Sequence, residues 1–280
     1  MRLLVTGGSG YLGSELVRQA AGGGWQVTGT SLTAVGGLRL DVRDAAAVRH
    51  AVTTVCPDAI VHTAYRQAGE GAWETTVDGS ANVARTAADA GVRLLHLSTD
   101  VVFDGRLGRP YREDDPPTPV TEYGRAKARA EAVVAASGGE SLIVRTSLIV
   151  AGAEPSRHEQ TALDVAEGRS RMAFYTDEIR CPIAVADLAG ALLQLAPGAA
   201  TGLLHVAGAD AVSRHELAVL VTGRRDLAGS RSADRPDPRP LDCRLDCRRA
   251  AGLLDRMPRG VRELYGASRS TSQPSTRSRR

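Results

Sequence analysis

Short apolar runs alternate with helical patterns through the first hundred residues of the chain. Strands are predicted at residues 2–6, 25–30, 38–42, 59–63 and 92–98. Helices are predicted at residues 10–21, 44–55 and 72–90, where apolar positions recur at helical spacing. Repeated β-α-β units form a parallel sheet with helices on both faces. The pattern therefore predicts an α/β fold, a doubly wound parallel sheet of the Rossmann type.

The alternation becomes less regular in the second half of the chain. A proline-rich loop precedes a predicted helix at 122–136 and a buried strand at 141–150. We predict a dinucleotide-binding Rossmann domain at 1–150 with a return segment at about 177–203. A smaller C-terminal substrate-binding lobe is predicted from 151–176 and 204–266. Residues 267–280, which are rich in Ser, Thr and Arg, are predicted to form a disordered tail.

Composition narrows the class of protein. Hydrophobic residues make up 42% and charged residues 24% of the chain, and no apolar run is long enough to cross a membrane. We therefore expect a cytoplasmic protein without a membrane partner. The net charge of +3 includes four arginines in the last twelve residues, so the rest is close to neutral and predicts no nucleic-acid partner. The four cysteines and six histidines have neither metal-ligand nor disulfide spacing, so no metal is expected.

A glycine-rich turn joins the first predicted strand to the first predicted helix. Glycines at positions 7, 10 and 13 allow a tight turn, a close approach of the backbone to a pyrophosphate, and close packing of the helix on the strand. The helix N-terminus would face the negative charge. The sequence therefore predicts a dinucleotide site formed by Gly7, Gly10, Tyr11, Leu12, Gly13, Thr30, Ser31, Asp41, Val42, Thr63, Ala64, Tyr65 and Lys127.

The end of the second strand favours NADP(H) over NAD(H). An acidic residue there would bind the 2′-hydroxyl of the NAD ribose, but this strand ends in Thr30 and Ser31. Small hydroxyl residues leave room for a 2′-phosphate, although no arginine stands in the expected turn. Asp41, at the end of the third strand, is placed to border the adenine.

Thr99, Tyr123 and Lys127 are the predicted catalytic residues. Thr99 ends a predicted strand, and the i, i+4 spacing of Tyr123 and Lys127 puts both on one helix face. Of the 35 basic residues, Lys127 is the only lysine. A compact ammonium can lie beneath a phenol and a ribose, whereas a planar guanidinium cannot. We expect this ammonium to lower the pKa of the Tyr123 phenol, which works as a general acid.

With these motifs in this order, the chain resembles the extended short-chain dehydrogenase/reductases, and within them the dTDP-4-dehydrorhamnose reductase family. The resemblance extends to about residue 266 and is carried by LSTDVVFDG at 97–105, YREDDPPTP at 111–119, VRTS at 144–147 and RPLDCRLD at 239–246. It implies transfer of a hydride from NADPH to the ketone of a nucleotide-activated keto-deoxysugar or another small carbonyl compound. It also implies that Tyr123 donates the proton, Lys127 holds the ribose, and Thr99 orients the carbonyl.

The chain departs from the family pattern where substrate would bind. Val101 and Leu148 stand where the family has tyrosine and tryptophan, and Asp78 replaces an asparagine. The predicted substrate-binding residues are Asp100, Val101, Leu148 and Arg180. Loss of two rings predicts weak binding of dTDP-4-keto-6-deoxy sugars, and an arginine at 180 could grip the phosphate or carboxylate of an anionic carbonyl compound.

Two alternatives remain open at this point. The same tyrosine and lysine also serve nucleotide-sugar epimerases and dehydratases. Some relatives of the family are non-catalytic NADP-binding regulatory subunits, and the β subunit of methionine adenosyltransferase is one of them. The retention of Thr99, Tyr123 and Lys127 favours an enzyme, and the sequence is compatible with an oligomer.

Overall fold

A computed structural model describes residues 1–33, 37–234 and 237–270 of the chain. Its centre is a seven-stranded parallel sheet with the order β11-β6-β5-β4-β1-β2-β3. These strands are β1 (Arg2–Thr6), β2 (Gln26–Ser31), β3 (Leu38–Arg39), β4 (Ala59–His62), β5 (Arg93–Thr99), β6 (Ser141–Thr146) and β11 (Gly202–His205). This topology confirms the predicted Rossmann-type α/β fold.

Helices cover both faces of the sheet. The helices of the described chain are α1 (Tyr11–Gly22), α2 (Ala45–Val55), α3 (Gly79–Asp89), α4 (Glu122–Ala135), α5 (Arg157–Ala166), α6 (Val185–Leu195), α7 (Arg214–Thr222), α8 (Arg248–Ala251) and α9 (Val261–Ser270). Leu3 and Val5 on β1 pack in the cluster beneath α1 and α6, whereas Leu4 between them packs beneath α2, α3 and α4. Side chains alternate between the faces of a strand, so one strand contributes to two cores.

Six short strands lie outside the main sheet and form three pairs. They are β7 (Ile149–Val150) with β10 (Ile183–Ala184), β8 (Phe174–Tyr175) with β13 (Gly229–Ser230), and β9 (Ile179–Arg180) with β12 (Val212–Ser213). Around them, α5 contacts α7, and α7 contacts α9. The strands β8, β12 and β13 fall within the predicted substrate-binding lobe, whereas β7, β9 and β10 fall within the predicted Rossmann domain and its return segment. The division into a domain and a lobe stays a prediction.

The structure corrects several predicted boundaries. The third strand ends at Arg39 rather than at residue 42, because Val42 turns inward to pack in the core under α2 and α3. The helix predicted at 72–90 begins with a π-helical turn at Glu74–Asp78, and α3 follows. Gly79 allows this arrangement, because a Cβ there would lie 2.6 Å from the Val42 side chain.

Three further boundaries differ in the second half. The strand predicted at 141–150 breaks after Thr146, where the Ser147 hydroxyl binds Asp100 and the backbone N–H of Cys181 instead of continuing the ladder. Residues 204 and 205, predicted as part of the lobe, belong to β11 at the edge of the main sheet. The helix α9 continues to Ser270 past the predicted start of the tail, and residues 271–280 lie outside the described part of the chain.

Candidate active site

The carboxyl ends of β1, β4 and β5 meet at one edge of the sheet, where a cleft of about 720 Å³ opens. Parallel α/β sheets bind ligands at this edge. Of the residues predicted from sequence, the cleft is lined by Gly7, Gly10, Tyr11, Leu12, Gly13, Thr63, Tyr65, Thr99, Asp100, Val101, Tyr123, Lys127, Leu148 and Arg180. Thr30, Ser31, Asp41, Val42 and Ala64 do not line it. The structure thus brings together the residues predicted for catalysis and substrate binding and most of the residues predicted to bind the cofactor.

The glycine-rich turn has the shape of a phosphate cradle. Gly7 has a φ of +74°, and a Cβ there would lie 2.9 Å from the backbone nitrogen of Ala64. A Cβ on Gly13 would lie 2.0 Å from the carbonyl oxygen of Gly7. No side chain caps α1 at Gly10, so the first backbone N–H groups of that helix are free to bind an anion. The turn therefore fits the pyrophosphate of a dinucleotide.

The adenosine side of the predicted site contains an unsatisfied hydroxyl. Ser31 ends β2 and is 8% exposed, and its Oγ has no hydrogen-bond partner among the described residues. A buried polar atom without a partner costs free energy, and a ligand oxygen could supply that partner. The side chain of Val42, by contrast, is buried in the core, so only its backbone could face a cofactor.

Sequence reasoning missed an arginine at this end of the site. Arg43 binds the Asp41 carboxylate through Nη2 at 2.6 Å, and hydrogen bonding to Arg43 lowers the pKa of that carboxyl. An arginine that binds a 2′-phosphate is expected in the turn after the second strand, whereas Arg43 follows the third strand. The pairing neutralises the charge of the Asp41 carboxylate.

Tyr11 connects the glycine turn to the segment that follows β7. Its hydroxyl accepts a hydrogen bond from the backbone N–H of Gly152 at 2.8 Å and donates to the carbonyl of Glu154 at 3.2 Å. Burial raises the pKa of this phenol to about 12, and Glu159 adds to the shift. The hydroxyl therefore stays protonated and keeps both hydrogen bonds.

Local packing places Tyr123 next to Thr99. The Thr121 side chain caps α4 by accepting from the backbone N–H of Gly124 at 3.0 Å. A Cβ on Gly124 would lie 2.3 Å from the carbonyl of Val101, so glycine lets the first turn of α4 approach the turn after β5. Thr99 and Tyr123 consequently line the same cleft, and Thr99 acts on the pKa of the Tyr123 phenol.

The Tyr123 phenol is held in its protonated form. Burial is the largest effect and raises the pKa of this phenol well above its ordinary value of about 10. Tyr65 and Asp100 add to the rise, and Thr99 opposes it. Sequence reasoning expected Lys127 to lower this pKa, and the net direction is the opposite. A protonated phenol is the form that a proton donor requires.

Lys127 lies in a small polar niche beneath the cleft. It is 4% exposed, its Nζ donates to the carbonyl of Leu97 at 2.8 Å, and it lies 5.0 Å from the centroid of the Tyr65 ring. Burial lowers its pKa to about 8, and the charge of Glu131 opposes that shift. The pKa of the Lys127 ammonium therefore lies close to neutral pH.

A buried carboxylate lies one helical turn beyond Lys127. Glu131 is 5% exposed, and its Oε1 accepts from Ser98 Oγ at 2.5 Å and from Arg145 Nε at 2.9 Å. Its Oε2 accepts from Arg145 Nη2 at 2.7 Å. The sequence analysis did not identify Glu131, although its i, i+4 spacing from Lys127 was a signal that could have done so.

Arg180 lines the cleft, but its guanidinium is largely bound within the protein. Its guanidinium donates to the backbone carbonyls of Ile179, Leu241 and Pro240. Its Nε lies 3.8 Å from Asp100 Oδ2, and it is 3% exposed. Most of its donors are used within the protein, so Arg180 ties β9 to the segment at 240–241 rather than offering a free fork to a ligand.

Three other arginines line the cleft, and sequence reasoning missed all of them: Arg239, which is paired with Glu178, and Arg157 and Arg214. Among the described residues, neither Arg157 nor Arg214 has a carboxylate within ion-pair distance. Arg157 donates to the Gln67 side chain at 3.2 Å, and Arg214 Nη2 lies 3.2 Å from Nδ1 of His158. Burial, with Arg180 next, lowers the pKa of Arg214 to about 10. This end of the cleft therefore carries uncompensated positive charge.

The Asp100 carboxylate is buried at the centre of the cleft floor. Ser147 Oγ donates to its Oδ2 at 2.6 Å, and Thr99 Oγ1 donates to its Oδ1 at 3.3 Å. Burial raises its pKa, while Arg180, Ser147 and Thr99 act in the opposite direction. Asp100 thus orients Thr99, and the small side chains of Val101 and Leu148 leave the cleft wall without aromatic rings at those positions.

Two global properties of the described chain bear on cofactors and location. Within residues 1–33, 37–234 and 237–270, no cluster of three His, Cys, Asp or Glu side chains could hold a metal ion. In the same ranges no helix combines the length and apolarity needed to cross a membrane.

Comparison with known proteins gives consistent matches. The RmlD substrate binding domain family matches residues 1–265. A dTDP-4-dehydrorhamnose reductase from Mycobacterium tuberculosis is 34% identical over 223 residues, which cover 76% of this chain and 72% of that protein. Methionine adenosyltransferase 2 subunit beta from Bos taurus is 27% identical over 284 residues, covering 92% and 84%.

A solved structure shares the whole fold. The dTDP-4-dehydrorhamnose reductase from Bacillus anthracis, crystallised in complex with NADP, superposes with a TM-score of 0.84 at 23% identity. The superposition covers 97% of this chain and 99% of that one. At this identity, the likeness shows the fold alone.

Proposed function

Because the chain belongs to the RmlD substrate-binding domain family, we propose that it is an NADPH-dependent oxidoreductase that reduces the ketone of a nucleotide-activated keto-deoxysugar. The observation that carries the proposal is the placement of Thr99, Tyr123 and Lys127 beside the glycine-rich turn at one sheet edge. The curated relatives named dTDP-4-dehydrorhamnose reductase support the class of substrate.

The chain offers a fitting site for NADP(H). Backbone N–H groups in the first turn of α1 would hold the pyrophosphate, Ser31 and Arg43 would face the adenosine phosphate, and Lys127 would bind a ribose. When bound, the cofactor supplies the hydride. The proposed division is a Rossmann domain that holds the cofactor and a lobe that holds the sugar nucleotide.

The residues of the cleft account for the proton and the orientation. Thr99 turns its hydroxyl hydrogen from Asp100 to the substrate oxygen, and this hydrogen bond fixes the carbonyl next to the phenol. Tyr123 donates its proton to that oxygen as negative charge develops there. Lys127 keeps a positive charge near the phenol, and this charge stabilises the phenolate that remains.

We also propose where the charged part of the substrate lies. Arg157 and Arg214 face the cleft without carboxylate partners in the described chain, and a phosphate would compensate them with charge-assisted hydrogen bonds. This replaces the role predicted for Arg180. Val101 and Leu148 provide no ring to stack on a base or sugar. The contacts of the arginines with the phosphate therefore contribute a larger part of the affinity for the substrate than they would in a cleft with such rings.

The test follows NADPH consumption with a matched pair of substrates. We expect kcat/KM for dTDP-4-dehydrorhamnose to exceed that for an uncharged ketone by at least about tenfold, since one hydrogen bond to a charged group contributes about 1.5–3 kcal/mol. Arg214→Gln should reduce this preference, whereas Arg225→Gln, at an exposed position after α7, should not. Equal use of both ketones would exclude the phosphate contacts.

The same assay separates the remaining alternatives. A reductase consumes NADPH in equal amount to product, whereas an epimerase or dehydratase converts substrate with no net consumption. The similarity to methionine adenosyltransferase 2 subunit beta over 92% of this chain favours testing a third case. Tight NADPH binding with no turnover on any ketone would identify a non-catalytic binding protein and overturn the proposed activity.

A preference for NADPH over NADH follows from the end of β2. We expect NADPH to bind at least about tenfold more tightly, because Ser31 at the end of β2 carries no negative charge to repel a 2′-phosphate, and the Arg43 cation follows β3, the strand beside β2. Ser31→Asp should reverse the preference by placing a carboxylate against that phosphate. Fluorescence titration with both dinucleotides measures this, with Thr53→Asp on α2 as a control for added charge. Equal affinities in the parent protein would show that this turn does not distinguish the two.

A further inference from the structure

We propose that Glu131 is a positioning residue that holds the Lys127 side chain in place and keeps it charged. The inference concerns a group outside the cleft, and nothing in the family motif assigns it this role. Its consequence for turnover rests on the proposed function. Its direct test does not, because the state of Lys127 can be read without substrate or cofactor.

The geometry places both side chains against the same strand. Lys127 and Glu131 occupy successive turns of one face of α4, where i, i+4 side chains are neighbours. Lys127 Nζ donates to the carbonyl of Leu97 at 2.8 Å, and Glu131 Oε1 accepts from Ser98 Oγ at 2.5 Å. Two consecutive residues of β5 are thus bound by two consecutive turns of α4, which fixes where the ammonium lies.

Arg145 fixes the carboxylate from the other side. This arginine on β6 is 1% exposed and binds both oxygens of Glu131, at 2.9 and 2.7 Å. Its guanidinium also lies 4.9 Å from the centroid of the Phe103 ring. The carboxylate therefore cannot turn toward Lys127 to form a direct ion pair, and it acts on the ammonium through its charge at a fixed position.

The other groups around Lys127 do not provide a competing negative charge. His62 on β4 and His96 on β5 are fully buried, and burial lowers the pKa of His62 to about 3 and that of His96 well below its ordinary value. Both are neutral at physiological pH. The remaining titratable or charged groups on neighbouring elements are Tyr123 on α4, Tyr65 after β4, and Asp100 after β5, whose charge acts on Tyr123.

The experiment uses the fact that Lys127 is the only lysine in the chain. Protein labelled with ¹⁵N or ¹³C at lysine side chains gives a single ε resonance, so its titration reports Lys127 directly. In the parent protein we expect a pKa of about 8. In the Glu131→Gln variant we expect the pKa of Lys127 to fall by at least about one unit. This is the lower end of the effect of removing a nearby opposite charge, because Arg145 already binds that carboxylate.

The sign of the effect on turnover follows from the same shift. Removing the negative charge disfavours the ammonium, so Lys127 loses its proton at lower pH. The alkaline limb of the pH profile of kcat should move to lower pH by the same amount, while activity near pH 6 changes less. Glu131→Asp keeps the charge and should move the lysine pKa by less than Glu131→Gln does. Glu140→Gln, at an exposed position, should not move it.

An ion pair that only joins α4 to β6 gives a different result. In that case Glu131→Gln lowers stability but leaves the Lys127 pKa unchanged, and the inference is wrong. If the single variant does not fold because Arg145 is left buried and unpaired, the Glu131→Gln, Arg145→Gln double variant is titrated against Arg145→Gln alone, and an equal Lys127 pKa in these two proteins would show that the inference is wrong. A shifted lysine in a protein that reduces no ketone would keep this inference and reject the proposed activity.

Discussion

Tyr123→Phe is expected to reduce turnover by at least about a hundredfold, the lower end for losing a positioned general acid. The substitution removes only the hydroxyl that donates the proton. Burial keeps that hydroxyl protonated, and phenylalanine has no proton to donate from that position. Steady-state measurement of kcat with a saturating ketone substrate gives the result.

The affinity for NADPH is the internal control for this substitution. The phenylalanine ring fills the same space, so the dissociation constant for NADPH should stay within about twofold, a change of less than 0.5 kcal/mol. A variant that binds NADPH normally and turns over normally would remove Tyr123 from the proposed chemistry. A variant that loses NADPH binding would show that the tyrosine shapes the cofactor site instead.

Lys127→Arg is expected to cost at least about a hundredfold in kcat/KM, although it keeps the positive charge. The ammonium lies between the carbonyl of Leu97 and the Tyr65 ring, and the Lys127 side chain is 4% exposed. A planar guanidinium needs more room and cannot occupy a niche built for a compact charge. Overpacking a buried site also costs about 1–3 kcal/mol of stability, which thermal unfolding will measure alongside kinetics.

A substitution of arginine by lysine at an exposed position serves as the control for Lys127→Arg. Arg129→Lys, at an exposed position on the same helix, exchanges the same two side chains where neither is confined. We expect no change in activity or stability there. Full activity in Lys127→Arg would mean that any positive charge suffices and that the single lysine of the chain has no special role.

Features carried by local sequence could be predicted here. The glycine-rich turn, the strand before it and the helix after it were predicted within one or two residues, because turn chemistry and hydrophobic periodicity are properties of neighbouring residues. The parallel sheet with helices on both faces was predicted from the repeated β-α-β pattern, since such units are connected by right-handed crossovers. The proximity of Tyr123 and Lys127 needed only the geometry of a helix.

Features that depend on distant contacts could not be predicted. The Arg180 side chain is bound by carbonyls about sixty residues away in sequence, at Pro240 and Leu241. The Arg157 and Arg214 side chains meet at the cleft from two helices that no motif connects. The sequence gives charge and position along the chain, but only the packing of the lobe decides which arginine is satisfied and which faces the cleft.

The helices that bring Arg157 and Arg214 to the cleft, α5 and α7, are separate from β5 and α4, which carry the proposed reacting groups. Substitutions on α5 or α7 can therefore change which anion is accepted without disturbing the packing that sets Tyr123 against Thr99. Such a division lets selectivity diverge rapidly during evolution while the reaction itself is inherited. A small set of exchanges on these two helices is accordingly the place to begin redesigning the protein for a new ketone.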